Sequence, residues 1–141
     1  MPVLRNENVP AHHASTLVTH LLHVSEIVFP PLNAIGTVGN LAILGGVFAN
    51  KSEITPEISA KIPYIATSFA LSVAVTVYAL TVMVPINTTM KNMAARLRKD
   101  ESDKEAARIF REHQLKWQGY NMGRGSLMLG AAIASVISLV A

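Results

Sequence analysis

The sequence contains no cysteine, so this chain of 141 residues cannot form disulfide bonds, bind a metal through thiolates or use a cysteine nucleophile. It also has little charge. Asp, Glu, Lys and Arg make up 15% of the residues and hydrophobic residues 50%, whereas an ordinary soluble domain has about 25% charged residues. This composition is typical of an integral membrane protein, and the length predicts one domain over residues 1–141.

Charge is absent from three long stretches, which are residues 27–50, 62–90 and 125–141. A helix needs about 20 apolar residues to cross the core of a bilayer, and the first two stretches supply them. The third stretch is shorter, so its helix must begin near Gly119, which draws Asn121 and Arg124 to the membrane edge. We predict an all-α membrane bundle with transmembrane spans at 30–49, 62–86 and 119–141.

Three further segments complete the predicted domain. Residues 1–14 are polar and irregular, and 15–29 form a short amphipathic helix at the interface or beneath the bundle, with Leu and Val at helical spacing. Pro30-Pro31 then opens the first span, because proline is tolerated in a first helical turn. Residues 91–117 form a charged, amphipathic helical loop that starts from a capping box at 102–105.

The net charge of +3 has a simple origin. Eight of the twelve basic residues lie in the loop 91–116, interleaved with five acidic residues. A Lys/Arg-rich loop beside transmembrane ends is typical of the cytoplasmic side, so we expect the N-terminus on that side and the link near Asn50 and the C-terminus on the other. Nucleic acid is not an expected partner, because the basic residues are neutralised locally and no aromatic interleaving accompanies them.

Polar side chains within the first span allow two interpretations. Asn33, Thr37 and Asn40 recur at helical spacing, and an unpaired amide in hydrocarbon is costly. They could be hydrogen-bond contacts between helices or could face a substrate. His20, His23 and Glu26 could offer metal ligands, but histidines at an interface are more often solvated or hydrogen-bonded, and we predict no metal site.

A second set of polar residues lies where the charged loop enters the third span. On a helix His113, Trp117, Asn121 and Arg124 share one face. The arginine could reach lipid head groups or mark a functional cavity, and Trp117 and Tyr120 also fit an aromatic belt.

Three short motifs, taken together in their order and spacing, resemble the anthrone oxygenase-like family of small helical membrane proteins. They are VMVPIN at Val82 to Asn87, the spacing of Trp117, Asn121 and Arg124, and PPLNAIG at Pro30 to Gly36. The resemblance covers about 30–141 and implies a four-helix transmembrane bundle. This chain has no counterpart of the family's first span before Ser15, so either the amphipathic helix replaces it or the chain is a shortened member. Homo-oligomerisation would then close the bundle.

The resemblance implies oxidation of an anthrone to an anthraquinone in aromatic polyketide biosynthesis, a branch of secondary metabolism. The expected co-substrate is molecular oxygen, with no cofactor, and the expected partners are a hydrophobic aromatic small molecule and membrane lipid. A eukaryotic endomembrane is the expected location. The sequence is compatible with this, because it has no glycine-rich phosphate loop after a strand.

Such a reaction needs a base, donors for the enolate oxygen and a flat apolar slot. We assign Arg124 and Asn121 to the developing phenolate, and His113 or His23 to the base, since histidine has a suitable pKa. The residues expected to bind the substrate are Trp117, which would stack on it, and Asn87, Tyr120, Asn33 and Asn40.

Two other functions stay open. The same pocket could serve a cyclase or isomerase acting on a hydrophobic metabolite, because a fold does not fix a reaction. Alternatively, the chain could be a non-catalytic membrane subunit or scaffold, with Arg124 as a lipid or interhelical contact.

Overall fold

A computed structural model describes residues 9–141, except the side chain of Glu53. The elements are α1 (Ala11–Ala49), a 3₁₀ turn (Lys51–Glu53), α2 (Pro56–Tyr78), a π-helical turn (Ala79–Met83), α3 (Val84–Lys99) and α4 (Lys104–Val140). No strand occurs in the described part of the chain, which confirms the all-α prediction. The predicted irregular start lies largely outside the described residues, and α1 begins at Ala11.

Three helical segments are long and apolar enough to cross a membrane: Ala11–Ala49, Pro56–Lys99 and Lys104–Val140. They contain 39, 44 and 37 residues, more than the roughly 20 that a bilayer core requires. The predicted N-terminal amphipathic helix and the predicted charged helix are therefore not separate helices. Each is continuous with a predicted span.

The two adjacent prolines of α1 are inside the helix rather than at its start. Pro30 and Pro31 have no backbone N–H, so two helical hydrogen bonds to the preceding turn are lost. Such losses are tolerated in membrane helices, where neighbouring helices hold the backbone. The sequence predicted a helix start at Pro30 because proline is also tolerated in the first turn of a helix.

A π-helical turn separates α2 from α3 just before Pro85. Pro85 cannot donate a backbone hydrogen bond, and its ring would collide with the carbonyl four residues earlier in a regular α-helix. The wider turn relieves this collision. Pro85 therefore does not end the helix, which continues to Lys99.

The helix α4 is capped by a different residue from the one expected. Asp103 Oδ1 accepts a hydrogen bond from the Ala106 N–H at 2.9 Å, as an N-cap side chain does. The Ser102 hydroxyl instead donates to Asp100 Oδ1 at 2.6 Å. The cap thus falls one residue later than the capping box predicted.

The chain divides into two compact units, which are described separately. Unit 1 comprises residues 9–28 and 80–121 of the described chain, and unit 2 comprises 29–79 and 122–141. The core of unit 1 consists of Ala14, Val18, Leu22, Met90, Ala94, Leu97, Ala106 and Phe110. The large aliphatic residues Leu17, Leu21 and Val24 of α1 point outward, as expected for a surface in contact with lipid.

The interior of unit 2 includes polar residues, and much of its surface is apolar. Ser68 and Ser72 of α2 are buried, whereas Ile35, Val38 and Leu139 are among its exposed side chains. Small polar residues allow membrane helices to approach closely and to hydrogen-bond.

Candidate functional site

A cluster of polar side chains joins α1 to α3 within unit 1. Glu26 is the only charged residue between Glu7 and Lys51. The Lys91 ammonium donates to Glu26 Oε2, and the Asn87 Nδ2 donates to Glu26 Oε1 at 3.3 Å. Asn87 and Lys91 are four residues apart on α3, so both face α1. We call Glu26, Asn87 and Lys91 the α1–α3 polar cluster.

Asn87 has one end of its carboxamide unpaired. The residue is 7% exposed, and its Oδ1 is buried with no hydrogen-bond partner among the described residues. An ionised carboxylate only accepts hydrogen bonds, so Glu26 must face the Nδ2 of Asn87. The carboxamide oxygen is thereby directed away from Glu26, where it could accept a hydrogen bond from a ligand.

Two further polar atoms of unit 1 are buried without a partner in the described chain. They are Trp117 Nε1 and Asn121 Oδ1. Trp117 packs against the hydrophobic core of unit 1, and Asn121 lies one turn further along the same face of α4. Because nearly all buried polar groups in native proteins are hydrogen-bonded, these atoms mark a place where a ligand could bind.

His113 lies on the same face of α4, one turn before Trp117. Its Nδ1 is 2.9 Å from the carbonyl oxygen of Ile109. A carbonyl oxygen only accepts hydrogen bonds, so Nδ1 carries the hydrogen. In the neutral ring Nε2 then carries no hydrogen. The half-buried His113 ring can therefore take up a proton at Nε2.

The other predicted residues of unit 1 are more accessible. His23 is exposed on α1, and Tyr120 is 42% exposed. Glu26 contacts Lys91 and Asn87, and no group of three or more potential metal ligands occurs in the described part of the chain.

Arg124 belongs to unit 2. Its guanidinium carbon is 4.8 Å from the centre of the Phe29 ring, which is a cation–π geometry. Its Nε is buried and has no hydrogen-bond partner within the described residues. Arg124 is thus held against an aromatic ring while part of its hydrogen-bonding capacity stays unused.

Asn33 and Asn40 connect the helices of unit 2. Asn33 Nδ2 donates to the Ser72 carbonyl at 3.1 Å and to Thr76 Oγ1 at 2.9 Å. Asn40 Nδ2 donates to Ser68 Oγ at 3.0 Å, and Ser68 Oγ lies 2.7 Å from Ser135 Oγ. These contacts match the interhelical interpretation.

Both asparagines also line a pocket of about 230 Å³ within unit 2. The other lining residues are Leu32, Gly36, Ser68, Ser72, Met128, Ala131, Ala132 and Ser135. The two interpretations of Asn33 and Asn40 are therefore compatible: their amide nitrogens join helices, and their side chains border a cavity.

Sequence reasoning missed the role of Glu26 with Lys91 and the contribution of Ser135. A signal for Glu26 existed, because a single acid in a long uncharged stretch that enters a membrane needs a partner. No comparable signal singles out Ser135 among the small residues of α4.

A comparison with protein families adds an independent finding. A family model described as "Anthrone oxygenase" matches residues 19–134. The match begins ahead of Pro30, so it includes much of the amphipathic segment, and it extends over Glu26, Asn87, Trp117 and Arg124. No curated protein and no solved structure matches the chain.

Proposed function

Since the chain belongs to the anthrone oxygenase family, we propose that it is a membrane-bound oxygenase that converts an anthrone, or a similar aromatic polyketide, to a quinone. The observation that carries this proposal is the set of unpaired buried polar atoms in unit 1, at Asn87, Trp117 and Asn121. They combine one N–H donor with acceptor oxygens beside an aromatic ring. A flat aromatic ketone that carries hydroxyl groups is complementary to them.

The reaction balances without an electron donor. The methylene carbon opposite the anthrone carbonyl loses two hydrogens and gains one oxygen atom from O₂. The second oxygen atom leaves as water with those two hydrogens. Anthrone and O₂ thus give anthraquinone and water, and O₂ is the only oxidant required.

The first step would be removal of a proton from this methylene carbon. His113 is our choice for the base, because its Nδ1 contact with Ile109 leaves Nε2 able to accept. The negative charge then moves to the carbonyl oxygen, which becomes an enolate. His23 stays a second candidate, although it is exposed.

The enolate would be stabilised by donors that are unpaired before it forms. Trp117 Nε1 can donate to the oxygen, and Asn121, whose Oδ1 has no hydrogen-bond partner among the described residues, can turn its amide nitrogen to it. The edge of the indole ring would face the substrate, and Asn87 Oδ1 would accept from a substrate hydroxyl. The carbanion is then electron-rich enough to react with O₂.

The remaining predicted residues keep supporting roles in this proposal. Tyr120 would border the substrate, and Asn33 and Asn40 would contact a hydrophobic molecule in the pocket of unit 2. The assignment of Arg124 to the phenolate rests on the sequence alone. We also propose an endomembrane location with the 91–116 loop on the cytoplasmic side. Association of several copies would close the bundle.

The proposal is tested by incubating membranes that contain the chain with a simple anthrone under ¹⁸O₂. Labelled quinone is followed by mass spectrometry and compared with membranes that lack the chain, because anthrones also oxidise unaided. Asn121→Ala and Arg124→Ala should slow the protein-dependent rate. Lys116→Ala, which changes an exposed residue of the same helix, is the matched control.

Equal rates with and without the chain would contradict the oxygenase proposal. Conversion of the substrate to an unlabelled product would instead indicate a cyclase or isomerase. No product from any substrate, together with a stoichiometric membrane partner, would indicate a non-catalytic subunit.

A further inference from the structure

We propose that Glu26 and Lys91 are positioning residues that hold the Asn87 carboxamide with Oδ1 directed at a substrate hydroxyl. The identity of the ligand as a hydroxylated aromatic compound rests on the proposed function. The arrangement of the three side chains rests on the contacts within the α1–α3 polar cluster.

The two ends of an asparagine carboxamide have nearly the same shape but opposite hydrogen-bonding properties. Without a fixed partner, Asn87 could present either its oxygen or its nitrogen to a ligand. Glu26 removes this freedom, because its carboxylate oxygen accepts from Nδ2 at 3.3 Å and cannot donate to Oδ1. The orientation of Asn87 is therefore set by a residue 61 positions away in the chain.

Lys91 supports Glu26 in two ways. Its ammonium group donates to the other carboxylate oxygen, Oε2, so that Oε1 remains for Asn87. It also pairs its positive charge with this carboxylate, whose side chain is 38% exposed. Asn87 and Lys91 are on the same face of α3, and thus Glu26 is held between them.

The free oxygen of Asn87 points to a ligand that donates a hydrogen bond. It is buried and unpaired within the described chain, a state that is costly unless a donor arrives. Met90, one turn along α3, belongs to the hydrophobic core against which Trp117 packs. A hydroxylated aromatic molecule bound beside Trp117 could bring its hydroxyl to this oxygen.

Trp117 is the only tryptophan of the chain, so quenching of its fluorescence reports binding near it without any need for turnover. The two probes are β-hydroxyanthraquinone and its methyl ether, at a pH that keeps the phenol neutral. Both are stable in air and have similar shapes, but only the first donates a hydrogen bond. In the wild type we expect the hydroxyl compound to bind up to about tenfold more tightly than the methyl ether. This is the difference in affinity that one neutral hydrogen bond produces.

The decisive variant is Glu26→Gln. Glutamine both donates and accepts, so Asn87 can present either end to the ligand, and the preference for the hydroxyl compound should disappear. The affinity for the methyl ether should stay unchanged. Asn87→Leu, which has no carboxamide, should also abolish the preference and keeps the test valid if Glu26→Gln fails to fold.

The matched control is Glu112→Gln, which breaks a comparable Glu–Lys pair, with Lys116 at 2.8 Å, on an exposed face of α4. It should leave the preference at the wild-type value. A wild type that binds both probes equally, or a Glu26→Gln protein that keeps the preference, would overturn the inference. So would an equal loss of affinity for both probes, because that result shows a purely structural role.

This outcome is distinguishable from failure of the proposed function. Binding is measured with quinones and turnover with an anthrone under labelled oxygen. A wild type that discriminates between the probes but forms no labelled quinone would contradict the oxygenase proposal and leave the positioning role intact.

Discussion

Trp117 contributes two properties that can be separated by substitution. Its ring packs against the core of unit 1, and its Nε1 is buried without a partner in the described chain. The first property supports folding, and the second supports hydrogen bonding to a ligand.

We expect Trp117→Phe to lower the protein-dependent kcat/KM for anthrone oxidation by about fivefold to tenfold, as for one lost hydrogen bond. Stability should change little, because phenylalanine keeps most of the packing. Trp117→Ala should also destabilise the protein, by on the order of 2 kcal/mol, because a large ring that packs against the core is lost. The measurements are labelled-quinone formation and unfolding in detergent.

The control for Trp117→Phe is Tyr64→Phe, which removes a polar group from an exposed aromatic residue elsewhere in the chain. Unchanged kcat/KM in Trp117→Phe would show that the indole N–H does not contact the substrate.

His113 provides a second test at the scale of single residues. Glutamine has a similar size but cannot take up a proton, so His113→Gln should lower kcat by about 100-fold or more if His113 is the base. KM should change less than kcat. The matched control is His20→Gln at an exposed position of α1. Full activity of His113→Gln would remove His113 from the mechanism and leave His23 as the candidate base.

Among the structural elements, α4 begins directly after a side-chain cap. Asp103 accepts from the Ala106 N–H and contacts Arg96, with 2.8 Å between its Oδ2 and a guanidinium nitrogen. The hydrogen bond from Ala106 is the main cause that lowers the pKa of the Asp103 carboxyl below its ordinary value, and Arg96 adds to it. The ionised form is therefore the one that stabilises the folded protein.

A carboxyl group whose pKa is lowered by folding stabilises the protein above its unfolded pKa and loses this contribution as the pH falls through the folded pKa. We expect the melting temperature in detergent to fall as the pH drops below about 4. Asp103→Asn can still cap the helix but cannot ionise, so its melting temperature should fall less over the same pH range. Glu57→Gln, in an exposed pair with Lys61, is the control, and acid sensitivity identical to the wild type in Asp103→Asn would contradict the assignment.

Prolines show how far local signals determine an element. Pro30-Pro31 predicted a helix start, yet α1 continues through them, and Pro85 is preceded by a π-helical turn instead of a break. Proline removes a hydrogen bond in every case. Whether the helix stops, widens or continues depends on the neighbouring helices, which the local sequence does not encode.

At the scale of the whole molecule, the three long apolar helices predict an odd number of membrane crossings. The link near residue 52 and the turn near residue 102 should then lie on opposite sides. Because the chain has no cysteine, single introduced cysteines can report each side without background.

We expect Ser102→Cys to react with a membrane-impermeant maleimide in sealed vesicles whose cytoplasmic face is outside. Ser52→Cys should react only after detergent opens the vesicles, since it lies in the link on the opposite side. Both serines are exposed, so each cysteine is accessible where solvent reaches it. The reverse labelling pattern would show the opposite orientation in the membrane. Equal labelling of the two cysteines would contradict a membrane crossing between residues 52 and 102.

Part of the candidate site could be predicted from the sequence. His113, Trp117 and Asn121 were placed on one face because a single helix contains all three, and α4 does so. The partner of Asn87 could not be predicted, since Glu26 meets it across 61 residues. The catalytic and binding roles of these residues remain predictions.

The sequence by itself determined the helical class, the three apolar segments and the family, because uncharged length and local motifs are properties of consecutive residues. Only the tertiary structure decided which faces of these helices turn inward, because the pattern of apolar residues on a helix does not show which of them meet a neighbouring helix. It therefore decided that α1 contributes Ala14, Val18 and Leu22 to the core. It also brought Glu26 to Lys91, since packing between helices determines which distant residues meet.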